Sequence, residues 1–168
     1  MESDVQVRAA RPEDAAAIAA IYAPHVVYGV ASFEVEAPDA GEIVRRRAAI
    51  LELGLPYLVA EISGEIAGYA YASRFRPRAA YRFTVENSVY VAEEFQRQGV
   101  ARLLMERLME LCKDAGVREM VAVIGVPLTS AASVALHHSL GFEAVGVLRG
   151  VGEKFGRSLD VLLMQRSL

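Results

Sequence analysis

A chain of 168 residues is long enough to bury one sizeable core and too short to favour two. With 54% hydrophobic and 23% charged residues, the composition is that of a soluble globular protein rather than a disordered one. A net charge of −3 gives a nucleic-acid partner no support, and the lone Cys112 excludes an intrachain disulfide or a thiolate metal cluster.

In chain order, "VQVRAARPEDAAAIAAIYAPHVV" alternates briefly and then turns helical, with Val5 and Val7 on one face of a strand. Pro12, then Glu13 and Asp14, favour a helix start through fixed φ and charge near the positive end of the helix dipole. Ala17, Ile18, Ile21 and Tyr22 supply its packed face. A second helix is expected over 39–53. "YLVAEISGEIAGYAYASRF" then reads as a hairpin turning at Ser63-Gly64-Glu65, with Leu58, Ala60 and Ile62 alternating before the turn. "TVENSVYV" is a strand, 99–115 a helix holding a buried Cys112, "EMVAVIG" a strand and "SAASVALHHSLG" a short helix. At least one terminal strand follows. The pattern is mixed α/β with adjacent antiparallel pieces, read as one domain over 1–168. The chain does not open on a basic stretch with an apolar core behind it. No apolar run approaches the roughly 20 residues of a membrane helix, so a cytoplasmic location and no membrane partner are expected.

"EEFQRQGVARLLMERLMELCKDAG" raises the first functional question, because Gly99 stands where a loop enters a helix. Glycine lets backbone approach a ligand closely, and small Ala101 keeps the entrance uncluttered. Unpaired amides at a helix N-terminus stabilise phosphate oxygens, and Arg97 and Arg102 add charge-assisted contacts. The residues alone leave two readings, an ordinary tight connection or a phosphate site. The stretch has neither a Gly-x-x-x-x-Gly-Lys-Ser/Thr loop nor a dinucleotide fingerprint, so the phosphate reading points to another ligand.

"SVYVAEEFQRQGVARLL" resembles the acetyl-coenzyme-A (acetyl-CoA) signature of the GNAT N-acetyltransferases, with "QRQGVA" similar to their Arg/Gln-x-x-Gly-x-Gly/Ala loop. "GYAYASRFRPRAAYRFTVENSVYV", "VAVIG", "SVALHHSLGF" and "GEKFGRSLDVLLMQ" resemble the phosphinothricin and methionine-sulfoximine acetyltransferase branch, and the likeness spans nearly the whole chain. It implies an α/β fold in which helices flank a mixed, splayed central sheet. Acetyl-CoA would enter where two central strands part. The backbone of Val89, Tyr90 and Val91 would take the acyl and pantetheine portions, and Gln96, Arg97, Gln98, Gly99, Val100, Ala101 and Arg102 would enclose the pyrophosphate. Family members often place an asparagine near the coenzyme before a small pair and a serine. Here Ser130 stands in that place, followed by Ala131, Ala132 and Ser133, so Ser130 and Ser133 become coenzyme candidates with fewer polar groups than an amide offers.

A primary ammonium must lose a proton before its nitrogen can attack a thioester. Glu86 is the expected acceptor, although a strand carboxylate can simply face solvent. The resemblance around "TVENSVYV" favours the chemical role. His137 is the second catalytic candidate, as proton donor to the departing thiolate or as part of a relay. No histidine stands four residues from His137, and adjacent His138 points about 100° away, so no metal is expected. His25 reads as structural or exposed. Phe33, Phe75 and Tyr81 suggest apolar walls, Arg76 and Arg82 a carboxylate clamp, and Asn87 and Ser88 hydrogen-bonding partners of the substrate. The resemblance also implies a homodimer in which "GEKFGRSLD" helps close a partner's pocket, with Ser158 in place of a bulky aromatic. The expected reaction is acetyl transfer from acetyl-CoA to the primary amine of phosphinothricin, methionine sulfoximine, methionine sulfone or a similar amino acid. A broad L-amino-acid N-acetyltransferase and a non-catalytic acyl-CoA-binding regulatory domain are the alternatives.

Overall fold

The computed structural model describes residues 4–126 and 131–168. Strand β1 (Gln6–Ala9) leads through a single 3-10 turn at Pro12–Asp14 into α1 (Ala15–Val27). Arg8 holds Asp14 by two hydrogen bonds of 2.8 and 2.9 Å, fixing the strand-to-helix corner. Helix α2 (Ala40–Glu52) begins where the Asp39 carboxylate accepts the Glu42 N–H at 2.8 Å, a side-chain cap on an otherwise orphaned donor. The helix expected over 39–53 is therefore present, with its two outermost residues acting as caps.

Strands β2 (Tyr57–Ile62) and β3 (Glu65–Arg74) form the expected hairpin. Its turn puts Ser63 and Gly64 both at positive φ (52° and 86°), the combination that matches the twist of a two-residue hairpin. The simple alternation expected for β2 does not hold: Tyr57, Leu58, Val59 and Ala60 are all buried. Both faces of the strand are covered, by α2 on one side and α3 on the other.

Strand β4 (Thr84–Val91) coincides with "TVENSVYV", and α3 (Val100–Asp114) with the predicted amphipathic run. Val100, Leu104, Met105, Leu108, Met109 and Cys112 form its buried stripe, each such side chain contributing roughly 1.5–3 kcal/mol at most. Burial pushes the Cys112 thiol up to about 12, which makes it a packing group and not a nucleophile. Strand β5 (Glu119–Val126), α4 (Ala131–Ser139), β6 (Glu143–Lys154) and β7 (Arg157–Ser167) complete the chain, so the terminal region supplies two strands.

Among the described residues seven strands form one sheet in the order β1-β2-β3-β4-β5-β7-β6. Every pairing is antiparallel except β4 with β5, which is parallel and recorded only where Thr84–Glu86 face Glu119–Val121. Beyond that contact β5 continues on β7, β4 continues on β3, and the two part in the middle of the sheet. This is the α/β architecture with a mixed, splayed sheet that the sequence implied.

Candidate active site

Backbone register decides what β4 shows to the gap. Phe75 donates its N–H to the Thr84 carbonyl (3.4 Å) and Ala92 donates to Ala67 (2.9 Å), so the even-numbered residues turn their backbone toward β3. Asn87, Val89 and Val91 turn theirs toward β5, past the last β4–β5 pair. Polar backbone groups without a ladder partner at the centre of a sheet are ready to pair with an extended ligand.

A cleft of about 800 Å³ opens at this gap and runs to the start of α3. At its α3 end, Gln96, Arg97, Gly99, Val100, Ala101 and Arg102 line the wall. Arg97 and Gly99 both adopt left-handed backbone, with φ of 62° and 82°. Gly99 is the N-cap of α3, no side chain caps that end, and its first turn holds no acidic residue. Several N–H groups and the positive end of a 15-residue helix dipole are thus presented at one point, where an anion is stabilised. A Cβ built on Gly99 meets nothing within 4 Å, so its backbone conformation and not crowding requires glycine there. Gln98 does not line the cleft; its amide donates to the Glu94 carbonyl at 3.0 Å and braces the loop. Arg102 lines the cleft while donating to Ser139 (2.7 Å) and Glu106 (3.2 Å). Ser130 lies outside the described residues.

At the other end, alternation along β4 sends Glu86, Ser88 and Tyr90 to the α1 face and Asn87 to the opposite face. Tyr90 packs against Tyr22 and His25, with ring centroids 5.0 and 5.1 Å apart. Tyr71, the cross-strand partner of Ser88, stacks on Tyr57 at 4.8 Å. Phe33 completes the lining on this side. Glu86 sits among these rings, and burial raises its carboxyl above the ordinary carboxylate value.

Asn87 reaches the α3–α4 side, where its amide nitrogen lies 3.0 Å from His137 Nε2 and 3.6 Å from Met105 Sδ. His137 is 3% exposed, and its Nδ1 lies 2.7 Å from the Ser133 carbonyl oxygen. A carbonyl only accepts, so Nδ1 carries the proton and Nε2 accepts from Asn87. Burial lowers the histidine's pKa in the same sense. Glu86 and His137 therefore approach the cleft from opposite faces of the sheet, and both ring nitrogens of His137 are engaged inside the protein.

Phe75, Arg76 and Arg82 are not part of this cleft in the single chain. Phe75 packs on Tyr81 (5.9 Å), the Arg76 guanidinium lies 5.4 Å from the Phe75 ring, and Arg82 stacks on Phe83 at 4.4 Å. Sequence reasoning missed Tyr22, His25, Ser32, Tyr71, Phe95 and the β5 residues Ala122, Val123, Ile124 and Gly125 as cleft lining. Their apolar periodicity marked several of them only as core, and nothing local joins α1, β3 and β5. A larger groove, about 1070 Å³, runs beside α3 and β7 but, among the described residues, shares only Arg102 with the predicted site and is edged by scattered surface charges. Among the described residues no three His, Cys, Asp or Glu side chains gather as a metal-holding group, and no helix is long and apolar enough to cross a membrane.

A splayed sheet whose gap runs from an uncapped helix N-terminus to a half-buried carboxyl fits an acyl-CoA-dependent transferase. Residues 7–163 match the family described as acetyltransferase (GNAT) domain, and the chain belongs to that family. A phosphinothricin N-acetyltransferase from Alcaligenes faecalis is 50% identical over 162 residues, 96% of this chain and 82% of that protein. An L-methionine sulfoximine/L-methionine sulfone acetyltransferase from Salmonella typhimurium is 39% identical over 162 residues, 96% of this chain and 94% of that one. The crystal structure of a phosphinothricin acetyltransferase from Sinorhizobium meliloti in complex with AcCoA superposes with a TM-score of 0.93 at 41% identity, covering 100% of this chain and 89% of that one.

Proposed function

We propose that this chain transfers the acetyl group of acetyl-CoA to the α-amine of phosphinothricin, methionine sulfoximine, methionine sulfone or a closely similar amino acid. The observation that carries the reading is Glu86, a half-buried carboxyl whose pKa burial raises, at the opposite end of one cleft from the uncapped start of α3. The relatives' activities support the substrate class.

Acetyl-CoA supplies an activated thioester carbonyl at the parting strands. The Gln96–Arg102 loop holds pyrophosphate oxygens, and the unladdered backbone of Val89 and Val91 pairs with the pantetheine and acyl portions. Glu86 takes a proton from the substrate ammonium, directly or through water, and frees the nitrogen lone pair for attack on the carbonyl carbon. The C–S bond then breaks, and the coenzyme leaves as a thiolate that takes up the second proton lost by the nitrogen, directly or through water. Burial matters twice here. It strengthens the attraction between carboxylate and ammonium, and it brings the base's pKa closer to neutral pH. Phe33 and the tyrosines bound the side-chain space, with Ser88 available for a hydrogen bond. His137 acts through Asn87, fixing the back of β4 behind Glu86 and Ser88, because its one ring proton is committed to Ser133.

A homodimer is part of the proposal. Strand β6 is a sheet edge whose Val145, Val147, Leu148 and Val151 are between 46% and 61% exposed, an apolar strip that a second copy would cover. Arg76 and Arg82, outside their own chain's cleft, then serve the substrate carboxylate only in the assembled protein. A cytoplasmic location, where acetyl-CoA is at hand, belongs to the same proposal.

Release of coenzyme thiol is measured across free amino acids and short peptides. Phosphinothricin and the methionine derivatives are expected to give the highest kcat/KM, with the acetyl group on the α-nitrogen. Faster turnover of ordinary amino acids would assign the broader L-amino-acid activity, and preference for peptides would contradict the proposal. Light scattering during size exclusion tests the dimer.

A further inference from the structure

Lys154 ends β6 with its side chain turned into the protein, 5% exposed. Its ammonium donates to the Ser32 carbonyl at 2.7 Å and to the His25 carbonyl at 3.3 Å, and lies 5.3 Å from the Phe155 ring centroid. A buried ammonium is costly unless such acceptors surround it. One of these acceptors belongs to the last turn of α1, where the helix dipole is negative. The nearby Glu34 carboxylate is itself held by Arg46 at 2.6 Å and by the Tyr22 hydroxyl, so Lys154 is not simply half of an ion pair.

The segment that Lys154 grips is the wall of the amine end, where Val30, Ala31, Ser32 and Phe33 all line the cleft. Two further contacts locate that wall. Tyr22 gives its proton to Glu34, so the Ser32 hydroxyl donates to Tyr22 at 2.5 Å while accepting the Glu34 N–H at 3.1 Å. Beside it the Phe33 ring fills the space over two glycines: a Cβ on Gly125 or Gly152 would fall 2.9 or 2.2 Å from a ring carbon. The wall thus rests on a lysine 122 residues away along the chain.

We propose that Lys154 is a positioning residue for the amine substrate: its ammonium fixes the Ser32–Phe33 wall, and hence the fit of the substrate, without touching substrate or coenzyme. This rests on the acetyl-transfer reading. Lys154→Met keeps the stem and removes the charge and donors. KM for the amine is expected to rise about tenfold, with kcat changed less and acetyl-CoA Kd within about twofold. Lys154→Gln, which retains a shorter donor and removes the buried charge, is expected to fall between wild type and Lys154→Met, and serves where the methionine variant does not fold. Tyr22→Phe loosens the same wall from the other side. The double variant should therefore raise KM by less than the product of the two single effects.

An amine KM unchanged in both Lys154 variants, or full multiplicativity with Tyr22→Phe, would overturn the proposal. A second readout does not need turnover: Phe33 replaced by 4-fluorophenylalanine gives one fluorine resonance, expected to shift or broaden when Lys154 is changed. If the wild type acetylates none of the amino acids, the functional reading fails. The fluorine signal then still decides on Lys154, and an unchanged line overturns its role.

Discussion

The two ends of the cleft are built by different means. The end proposed to hold phosphate is one short stretch of chain, Gln96 to Arg102, presenting mainly backbone at the start of α3. The end proposed to take the amine collects side chains from α1, the segment after it, β3, β4 and β5, and Lys154 of β6 donates to its Ser32 carbonyl. A site made of consecutive backbone depends on local conformation and tolerates most changes of side chain. A site made of distant side chains depends on the whole sheet and on each anchor.

The largest expected effect comes from separating the two ends chemically. Glu86→Gln should lower kcat by about 100-fold or more, while calorimetry finds acetyl-CoA binding nearly unchanged. The same variant should be more stable at neutral pH. Burial raises the folded-state pKa of Glu86 above its unfolded value, so ionisation favours the unfolded chain as pH rises through that window. A thermal melt at pH 7 that shifts downward for Glu86→Gln would break this part of the account. Next in size is Gly99→Val, which places a β-branched residue at a φ of 82°. We expect about tenfold weaker acetyl-CoA binding and a stability loss of roughly 1–2 kcal/mol, with circular dichroism still folded. Equal affinity would detach the phosphate end from this loop.

His137→Leu probes the middle of the cleft, between the two ends. It leaves the buried Asn87 amide without its histidine acceptor and should cost about 1–3 kcal/mol in denaturant unfolding. Turnover should fall by less than in Glu86→Gln, with no titrating limb lost from the pH profile. Loss of an alkaline limb would instead restore His137 as a proton donor. The smallest effect is expected for Arg76→Lys, whose guanidinium lies over Phe75 outside the cleft of its own chain. Lysine retains charge and loses the planar fork. A carboxylate substrate should weaken more than its primary-amide analogue, and only in the dimer; equal losses would remove Arg76 from recognition.

The same contrast explains what was legible in the sequence. Gly99, the capping Asp39 and the Ser63-Gly64 turn announce themselves through local backbone chemistry, and the amphipathic spacing of α3 gives its buried stripe. Glu86 has a direction because strand alternation fixes it, once its neighbours are known to be a strand. Tyr22 looked like core and is core, yet its hydroxyl also organises Ser32 and Glu34. No period or motif links Lys154 to Ser32, or Phe33 to Gly125 and Gly152, because those contacts exist only after the sheet has assembled. His137 stood out in the sequence as a catalytic candidate. Its tautomer, fixed by Ser133 and Asn87, required coordinates.

Acetyl transfer as proposed turns on Glu86, half-buried at the amine end, as the proton acceptor. The most direct test is the pH dependence of kcat/KM for phosphinothricin in wild type and Glu86→Gln at saturating acetyl-CoA. The wild type should lose activity as pH falls through a limb lying above the ordinary carboxylate range, because protonated Glu86 cannot accept the ammonium's proton. That limb should disappear in the variant, leaving only the slope set by the substrate's own amine. The same acid limb persisting in Glu86→Gln would assign the base to another group and contradict the account.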